Sequence, residues 1–396
     1  MTSPLLFATA WALALVCCAA AGYQAFAALS TFKAAKARRV TPVGPVPGAV
    51  SVLKPLCGAE PRLFENLATF CEQSYPEMQL VFGVSASDDP AIAVVERLRS
   101  AYPRQDIALV VDSTVHGQNL KVSNLINMAA QARHDLLVIA DSDIAVEPDY
   151  LTRVLAPLAD PAIGIVTCLY RAQAVGGLWP RLGALFVNQW FAPSVRVAHA
   201  GGSTDFGFGA TLALRRATLE RIGGLAALRD ELADDYWLAE HVRRLGLRTV
   251  LSDVMVSTDV VEPDFGTLWA RETRWLRTIR SINPGGYAFL FITFASPWLL
   301  MAAWLGYGWA AAVPLGWPAR LAAGSLWLGL AARLAVHALG SRSARHFWHD
   351  LALVPARDAL LALDWLIALF GSHVRWRSAQ MRVNSHTNTL EITDGA

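Results

Sequence analysis

The stretch LLVIADSDIAVEPDY, residues 136–150, runs apolar residues straight into two aspartates separated by one serine. A buried strand ending in Asp141 and Asp143 brings two like charges together, which is unfavourable unless a cation lies between them. Similar apolar runs recur upstream at short intervals. AVSVLKPL (49–56), MQLVFGVS (78–85) and IALVVD (107–112) read as strands, and residues 61–71, 90–101 and 122–132 read as helices between them. Strands alternating with helices at this spacing predict an α/β domain with a mostly parallel central sheet and helices on both faces. Ligands of such sheets bind outside the carboxyl ends of the strands.

Those ends are polar. The first run closes on Lys54-Pro55, the second extends to Asp88-Asp89, and the fourth reaches Asp141-Ser142-Asp143. Aspartates are also ordinary turn and capping residues, and taken alone Asp88-Asp89-Pro90 reads more readily that way. No G-x-G-x-x-G follows the first strand and no Walker loop occurs, which argues against a dinucleotide enzyme or a P-loop ATPase. The glycine-rich AGGSTDFGFGATLALRR (200–216) leads into a strand and reads as a close-packed pocket wall.

The ends of the chain differ from its middle. Of 396 residues, 54% are hydrophobic and only 17% charged, with 14 tryptophans, a balance that points to membrane. Residues 4–29 carry no charge, and Lys33, Lys36, Arg38 and Arg39 follow. The run is long enough to span, and because the basic cluster lies after it, it reads as an anchor with a cytoplasmic flank in preference to a signal peptide. Residues 287–314 are uncharged, 321–340 contain only Arg333 and His337, and 351–370 contain Arg357, Asp358 and Asp364. The first two predict spans; the third is spanning, interfacial or re-entrant. Two spans return Arg342, Arg345, Arg375, Arg377 and Arg382 to the cytoplasm, as the positive-inside rule asks.

The expected order is an anchor at 1–32, a cytoplasmic domain at 41–270, an interfacial segment at 271–286, a membrane region at 287–372 and a basic polar tail at 373–396. Five cysteines without metal spacing imply free thiols, and a net charge near +2 gives no support to nucleic-acid binding.

An Asp-x-Asp at a strand end suits Mg²⁺ or Mn²⁺, hard ions often held by one or two carboxylates and the phosphates of a substrate. Such an ion would offset the repulsion between Asp141 and Asp143 and neutralise a diphosphate leaving group. LADDYWLAEHVRRLGLRT (232–249) places Asp234 and Asp235 at a helix start, where the dipole favours acids; capping alone could account for Asp234. WARETRWLRTIRSINPGGY (269–287) sets Arg271, Arg274, Arg277 and Arg280 at intervals of three among Trp269 and Trp275. That pattern reads as a basic helix at a membrane surface, and its arginines also suit a diphosphate.

The ordered set Asp89, Asp141-Ser142-Asp143, Asp235 within ADDYW, and RETRW at 271–275 resembles the ceramide glucosyltransferase family, glycosyltransferase family 21. VSVLKPLCG, DDPAI, NLKVSNL and ATLALRR extend the resemblance over roughly 50–285. FVNQWFAPSV, STDFGFGATLALRR, LADDYWLAEHVRRLGLRTVLSD and RWLRTIRSINPGGYAF are similar, more closely still, to the hopanoid-biosynthesis glycosyltransferases of bacteria.

The resemblance implies a GT-A nucleotide-sugar-binding domain flanked by transmembrane helices in the bacterial cytoplasmic (inner) membrane. It implies that Pro55, Asp88 and Asp89 border the uracil and ribose, that Lys121 and Asp141 lie near the nucleotide sugar, and that Asp141 and Asp143 hold Mg²⁺ or Mn²⁺. Asp235 would be the general base, with Arg271, Arg274 and Trp275 as the remaining catalytic-motif residues. The implied donor is UDP-N-acetylglucosamine and the implied acceptor is the hopanoid lipid bacteriohopanetetrol. Transfer from UDP-glucose to ceramide is the alternative. A polysaccharide synthase has too few spans here for its channel, and a non-catalytic membrane scaffold would have no need of the three acids together.

Overall fold

In β1 (Val50–Pro55) successive side chains enter different cores: Val50 and Val52 one, Leu53 the other. The same alternation separates Leu80 and Phe82 from Val81 in β2 (Met78–Val84), and Val138 from Leu137 and Ile139 in β4 (Leu136–Ile139). A period of two with both faces apolar is the mark of a strand covered on each side. The chain is a computed structural model describing residues 4–37, 48–309, 315–371, 373–376, 379–383 and 390–392. The remaining strands of this sheet are β3 (Asp106–Val111), β5 (Ile144–Ala145), β6 (Ile163–Ala174), β7 (Leu212–Arg215) and β8 (Arg248–Val260). The eight strands run in the order β3-β2-β1-β4-β7-β6-β8-β5.

Helices cover both faces, as expected. Leu63–Cys71, Ala91–Ala101 and Tyr150–Leu155 place Leu67, Phe70, Val95 and Tyr150 in one core. Leu120–Ala129 and Asp234–Arg244 place Val122, Leu125, Leu238 and Val242 in the other. The expected mostly parallel sheet is a mixed one, in which six of the eight strands run the same way. β1, β2, β3 and β4 pair in parallel, as do β6 and β8, but β7 runs antiparallel between β4 and β6, and β5 runs antiparallel to β8. β7 follows the helices at 178–200 and the glycine-rich segment and returns antiparallel to β6; an apolar run does not reveal its own direction.

This sheet belongs to one compact unit, residues 40–175, 203–261 and 372–396; residues 1–39, 176–202 and 262–371 form another. Residues 176–202 therefore fall outside the unit that carries the sheet, although the sequence places them within 41–270. Their helices, Leu178–Phe186 and Ala192–Ala200, are joined by a π-helical turn, Val187–Phe191. They hold to their own unit through Phe186, 5.7 Å from Trp275 between ring centres, and through Ser194, which accepts a 2.8 Å hydrogen bond from Tyr23.

Two helices of this unit, Pro4–Ala37 and Trp317–Gly340, are long and apolar enough to cross a membrane. Small residues let them approach, and a Cβ on Gly329 would stand 3.4 Å from that of Ala21. The predicted span at 287–314 is instead a pair, Pro284–Thr293 and Ala295–Trp309, bent by 49° at Phe294. It counts as a third span only if broken there, and its last residues lie outside those described. The segment at 351–370 contains the helix Val354–Ala368, whose 15 residues fall short of the roughly 20 that a span requires. Its charges meet partners: Arg357 pairs with Glu272, Asp358 with Arg333, and Asp364 accepts from Thr273.

In the tail, His373–Trp376, Ala379–Val383 and Leu390–Ile392 form a separate antiparallel sheet. Arg38, Arg39, Arg377 and residues 41–47 lie outside the described residues.

Candidate active site

Asp141 follows β4 and is fixed from several sides. Its N–H donates to Gly209 at 3.2 Å, and its carbonyl accepts from Lys54 Nζ at 2.7 Å. Lys54 is fully buried, with its ammonium 3.7 Å from the centre of the Phe70 ring. Burial lowers its pKa to about 7, against the opposing pull of Asp143, Asp141 and Glu60. Lys54 is a site residue that the strand pattern marks only as a polar end.

Lys121 projects from the first turn of Leu120–Ala129, a helix capped by Asn119, whose side chain accepts from Val122 N–H at 3.1 Å. Its Nζ lies 2.7 Å from Asp141 Oδ1 and 3.2 Å from Asp234 Oδ2. Burial works to lower its pKa, but Asp141, Asp234 and Asp235 outweigh burial and raise it above the ordinary lysine range. Asp234 is thus more than a helix-start acid, since it also accepts from Asn119 Nδ2 at 3.3 Å.

Asp235 Oδ2 accepts from Gly209 N–H and Oδ1 from Tyr236 N–H, each at 2.8 Å. Burial, with Asp234 beside it, raises its pKa to about 6, while Lys121 and the two N–H groups pull the other way. The glycine-rich wall explains the closeness. A Cβ on Gly207 would sit 2.1 Å from the Asp235 carbonyl oxygen, and one on Gly209 2.8 Å from Asp141 Oδ2. Neither position has room for a side chain.

Asp143 Oδ2 accepts from the Thr258 hydroxyl at 2.6 Å, and burial together with the charge of Asp141 raises its pKa to about 7. Ser142 donates to Glu60 at 2.9 Å. Asp89 accepts from Gly58 N–H at 3.0 Å and Ala91 N–H at 2.8 Å, so it ties the loop after β1 to the start of the next helix. That is the turn-and-cap role open to it from the sequence. Asp88 is exposed beside it, and Pro55 closes β1 opposite Gly83.

Among the described residues, no group of three or more His, Cys, Asp or Glu side chains is placed to hold a metal. Asp141 and Asp143 nevertheless suit one. Each has one oxygen engaged, by Lys121 and Thr258, which leaves a hard divalent ion one oxygen from each carboxylate and the rest of its ligands from phosphate and water.

The Arg/Trp segment lies in the other unit, on the helix Phe265–Ile282, capped by Asp264, which accepts from Thr267 N–H at 2.8 Å. Arg271 reaches Glu262 at 2.5 Å and lies 5.5 Å from the Trp275 ring, which packs on Phe186 and Phe191. Arg274 is half-buried, and its carbonyl accepts from the Thr278 hydroxyl at 2.9 Å. Arg277 and Arg280 spend donors on the end of Val354–Ala368 and the residues after it. Arg277 reaches the Phe370 carbonyl at 3.2 Å, and Arg280 reaches those of Ala368 and Gly371 at 2.6 Å each. Glu272, which no sequence pattern marks, is fully buried against Arg357.

Ceramide glucosyltransferase 3 of Caenorhabditis elegans is 26% identical over 236 residues, 59% of this chain and 50% of that protein. A ceramide glucosyltransferase of Komagataella phaffii is 30% identical over 120 residues, 29% of this chain and 24% of that protein. The chain spans about half or less of the length of these curated relatives. A mannosyltransferase from Pyrobaculum calidifontis, solved with GDP-Man and Mn²⁺, superposes with a TM-score of 0.48 at 23% identity, over 90% of this chain and 99% of that one. The family model described as Glycosyl transferase family 21 matches residues 9–389, nearly the whole sequence. The chain belongs to glycosyl transferase family 21.

Proposed function

We propose that the protein is an inverting, GT-A type lipid glycosyltransferase that moves N-acetylglucosamine from UDP-N-acetylglucosamine to a hydroxyl of bacteriohopanetetrol. The supporting observation is the joining of Asp141, Lys121, Asp234 and Asp235 into one charged cluster beside the glycine-rich wall. A strand-end acid and a buried acid that accepts from a wall N–H at 2.8 Å are what donor binding and proton removal need in one place. The choice of hopanoid and N-acetylglucosamine rests on the motif resemblance alone. The runner-up, UDP-glucose and ceramide, is favoured by the curated relatives being ceramide glucosyltransferases.

In this reading Asp235 takes the proton from the acceptor hydroxyl as that oxygen bonds to the anomeric carbon. The bond from that carbon to the diphosphate breaks on the opposite face, and its electron pair leaves with UDP. One displacement inverts the centre, so an α-linked donor gives a β-linked product. Mg²⁺ or Mn²⁺, held by Asp141 and Asp143, would supply positive charge to the diphosphate. Pro55, Asp88 and Asp89 border the nucleoside, and Lys121 adds a buried cation on the Asp141 side. By motif alone, Arg274 is assigned to charge developing on the diphosphate and Trp275 to the acceptor side, with Arg271 in the same motif. A lipid acceptor keeps its body in the bilayer, in line with the two apolar helices and a catalytic unit on the cytoplasmic face of a bacterial inner membrane.

UDP with Mn²⁺ is expected to raise the unfolding temperature of detergent-solubilised protein, and UDP alone to raise it less. Ligand at about 100 times its dissociation constant contributes about 2.7 kcal/mol. A folded sample indifferent to both would favour the scaffold.

A further inference from the structure

The metal-side acid Asp143 is held by the far end of β8. β5, immediately after the aspartates, is two residues long and pairs through Ile144 with Thr258 and through Ala145 with Ser257. Among the described residues β5 is an edge strand with β8 as its neighbour, so the placement of Asp143 depends on β8. The Asp143 carbonyl accepts from Asp259 N–H at 3.3 Å and from Asn66 Nδ2 at 3.4 Å. Asp259 is braced in turn: one carboxylate oxygen accepts from Asn66 Nδ2 at 3.0 Å, the other from Arg62 Nη1 at 3.2 Å. Arg62 has a φ of 63°, the left-handed region that residues with side chains seldom occupy. The backbone around Asp143 is thus fixed by a built network. Among the described residues its carboxylate is held by one hydrogen bond, from the buried Thr258 hydroxyl at 2.6 Å from Oδ2.

We infer that Thr258 is a positioning residue for the divalent-cation site: its hydroxyl sets the orientation of the Asp143 carboxylate and leaves the other oxygen for the ion. This rests on the reading of Asp141 and Asp143 as metal acids. A hydroxyl donating to an ionised carboxylate makes a short, charge-assisted bond, and outer partners of this kind tune metal affinity through the ligand they orient. The residues Thr258, Asp259, Asn66 and Arg62 come from two separate stretches of sequence, and none belongs to the acid or arginine motifs.

The test is Mn²⁺ binding at saturating UDP, read from the electron paramagnetic resonance signal of free Mn²⁺, with no turnover required. Thr258→Val keeps the shape and removes the hydroxyl, and its Mn²⁺ dissociation constant is expected to rise about 10- to 100-fold. Thr258→Ser keeps the hydroxyl and is expected to restore most of the affinity. If Thr258→Val does not fold, Thr258→Ala removes the same group and is read in the same way. Folded Val or Ala protein that binds Mn²⁺ as tightly as the wild type overturns the inference and leaves the metal reading standing. Wild-type protein that takes up no Mn²⁺ with UDP overturns the metal reading, and the inference with it.

Discussion

Asp235→Asn is expected to lower turnover by about 10²- to 10⁴-fold while UDP binding persists. The loss is large because a positioned base acts in the transition state, whereas the donor is held by other groups. The effect carries a pH signature. Burial and Asp234 raise the Asp235 pKa to about 6, opposed by Lys121 and by the N–H groups of Tyr236 and Gly209. A base works only when ionised, so the wild-type rate should rise as pH increases through about 6 and level off above it. The variant should lack that rising limb. Steady-state rates across pH, with UDP binding measured in parallel, check both expectations. A variant retaining more than a tenth of the wild-type rate, or an unchanged pH profile, would remove Asp235 from the role of base.

Arg357→Met should cost up to about 3–5 kcal/mol of stability, because it removes the nearest ion partner of the buried Glu272 and leaves it Arg271, 3.9 Å away. Arg357 Nη1 donates to Glu272 Oε1 at 3.1 Å, with 2.8 Å between Nη2 and Oε2, and both side chains are essentially inaccessible. Burial already pushes the Glu272 pKa up, opposed chiefly by Arg357 and then by Arg271. Removing both charges together, as Glu272→Met with Arg357→Met, should recover most of the loss, since a well-packed apolar pair can replace a buried ion pair. Denaturant unfolding in detergent compares the three proteins. Equal stability of the single and double variants would mean that the pair contributes little.

The local elements were legible where burial imposes a period. Val50, Val52 and Leu53 alternate between two cores, so β1 could be read from its residues, as could β2, β3 and β4. β8 carries the same signal in Val254, Val256, Thr258 and Val260, all buried at alternate positions. Strand direction was not legible, because alternation is the same in either sense, so nothing marked β7 and β5 as the two strands that run against the other six. At the candidate site the acids stood out because charge at the end of an apolar run is costly without a partner. Lys54 was visible only as a polar strand end, though it is buried and bonded to the Asp141 carbonyl. Thr258 and Glu272 gave no sign, since a threonine in a strand and a glutamate in a basic helix are both ordinary. Their significance lies in contacts with residues about 85 to 115 positions away.

Charged residues in the last apolar segment illustrate the same limit. Arg357 and Asp358 look like interruptions in the sequence, and adjacent opposite charges there could as well have paired with solvent. In the fold they turn to different partners, Glu272 and Arg333, so the helix that carries them joins two others of its unit. Periodicity identifies an apolar face, but it does not identify the residue that a buried charge will meet.

The most direct test of the account is product identification. Membranes containing the protein are supplied with UDP-N-acetylglucosamine or UDP-glucose, each with bacteriohopanetetrol or ceramide, and the glycolipid formed is identified by mass spectrometry. The account predicts N-acetylglucosaminyl bacteriohopanetetrol, absent when Asp235 is replaced by asparagine. Glucosylceramide without any hopanoid product would contradict the assigned donor and acceptor, and no glycolipid from any pairing would contradict lipid glycosyl transfer itself.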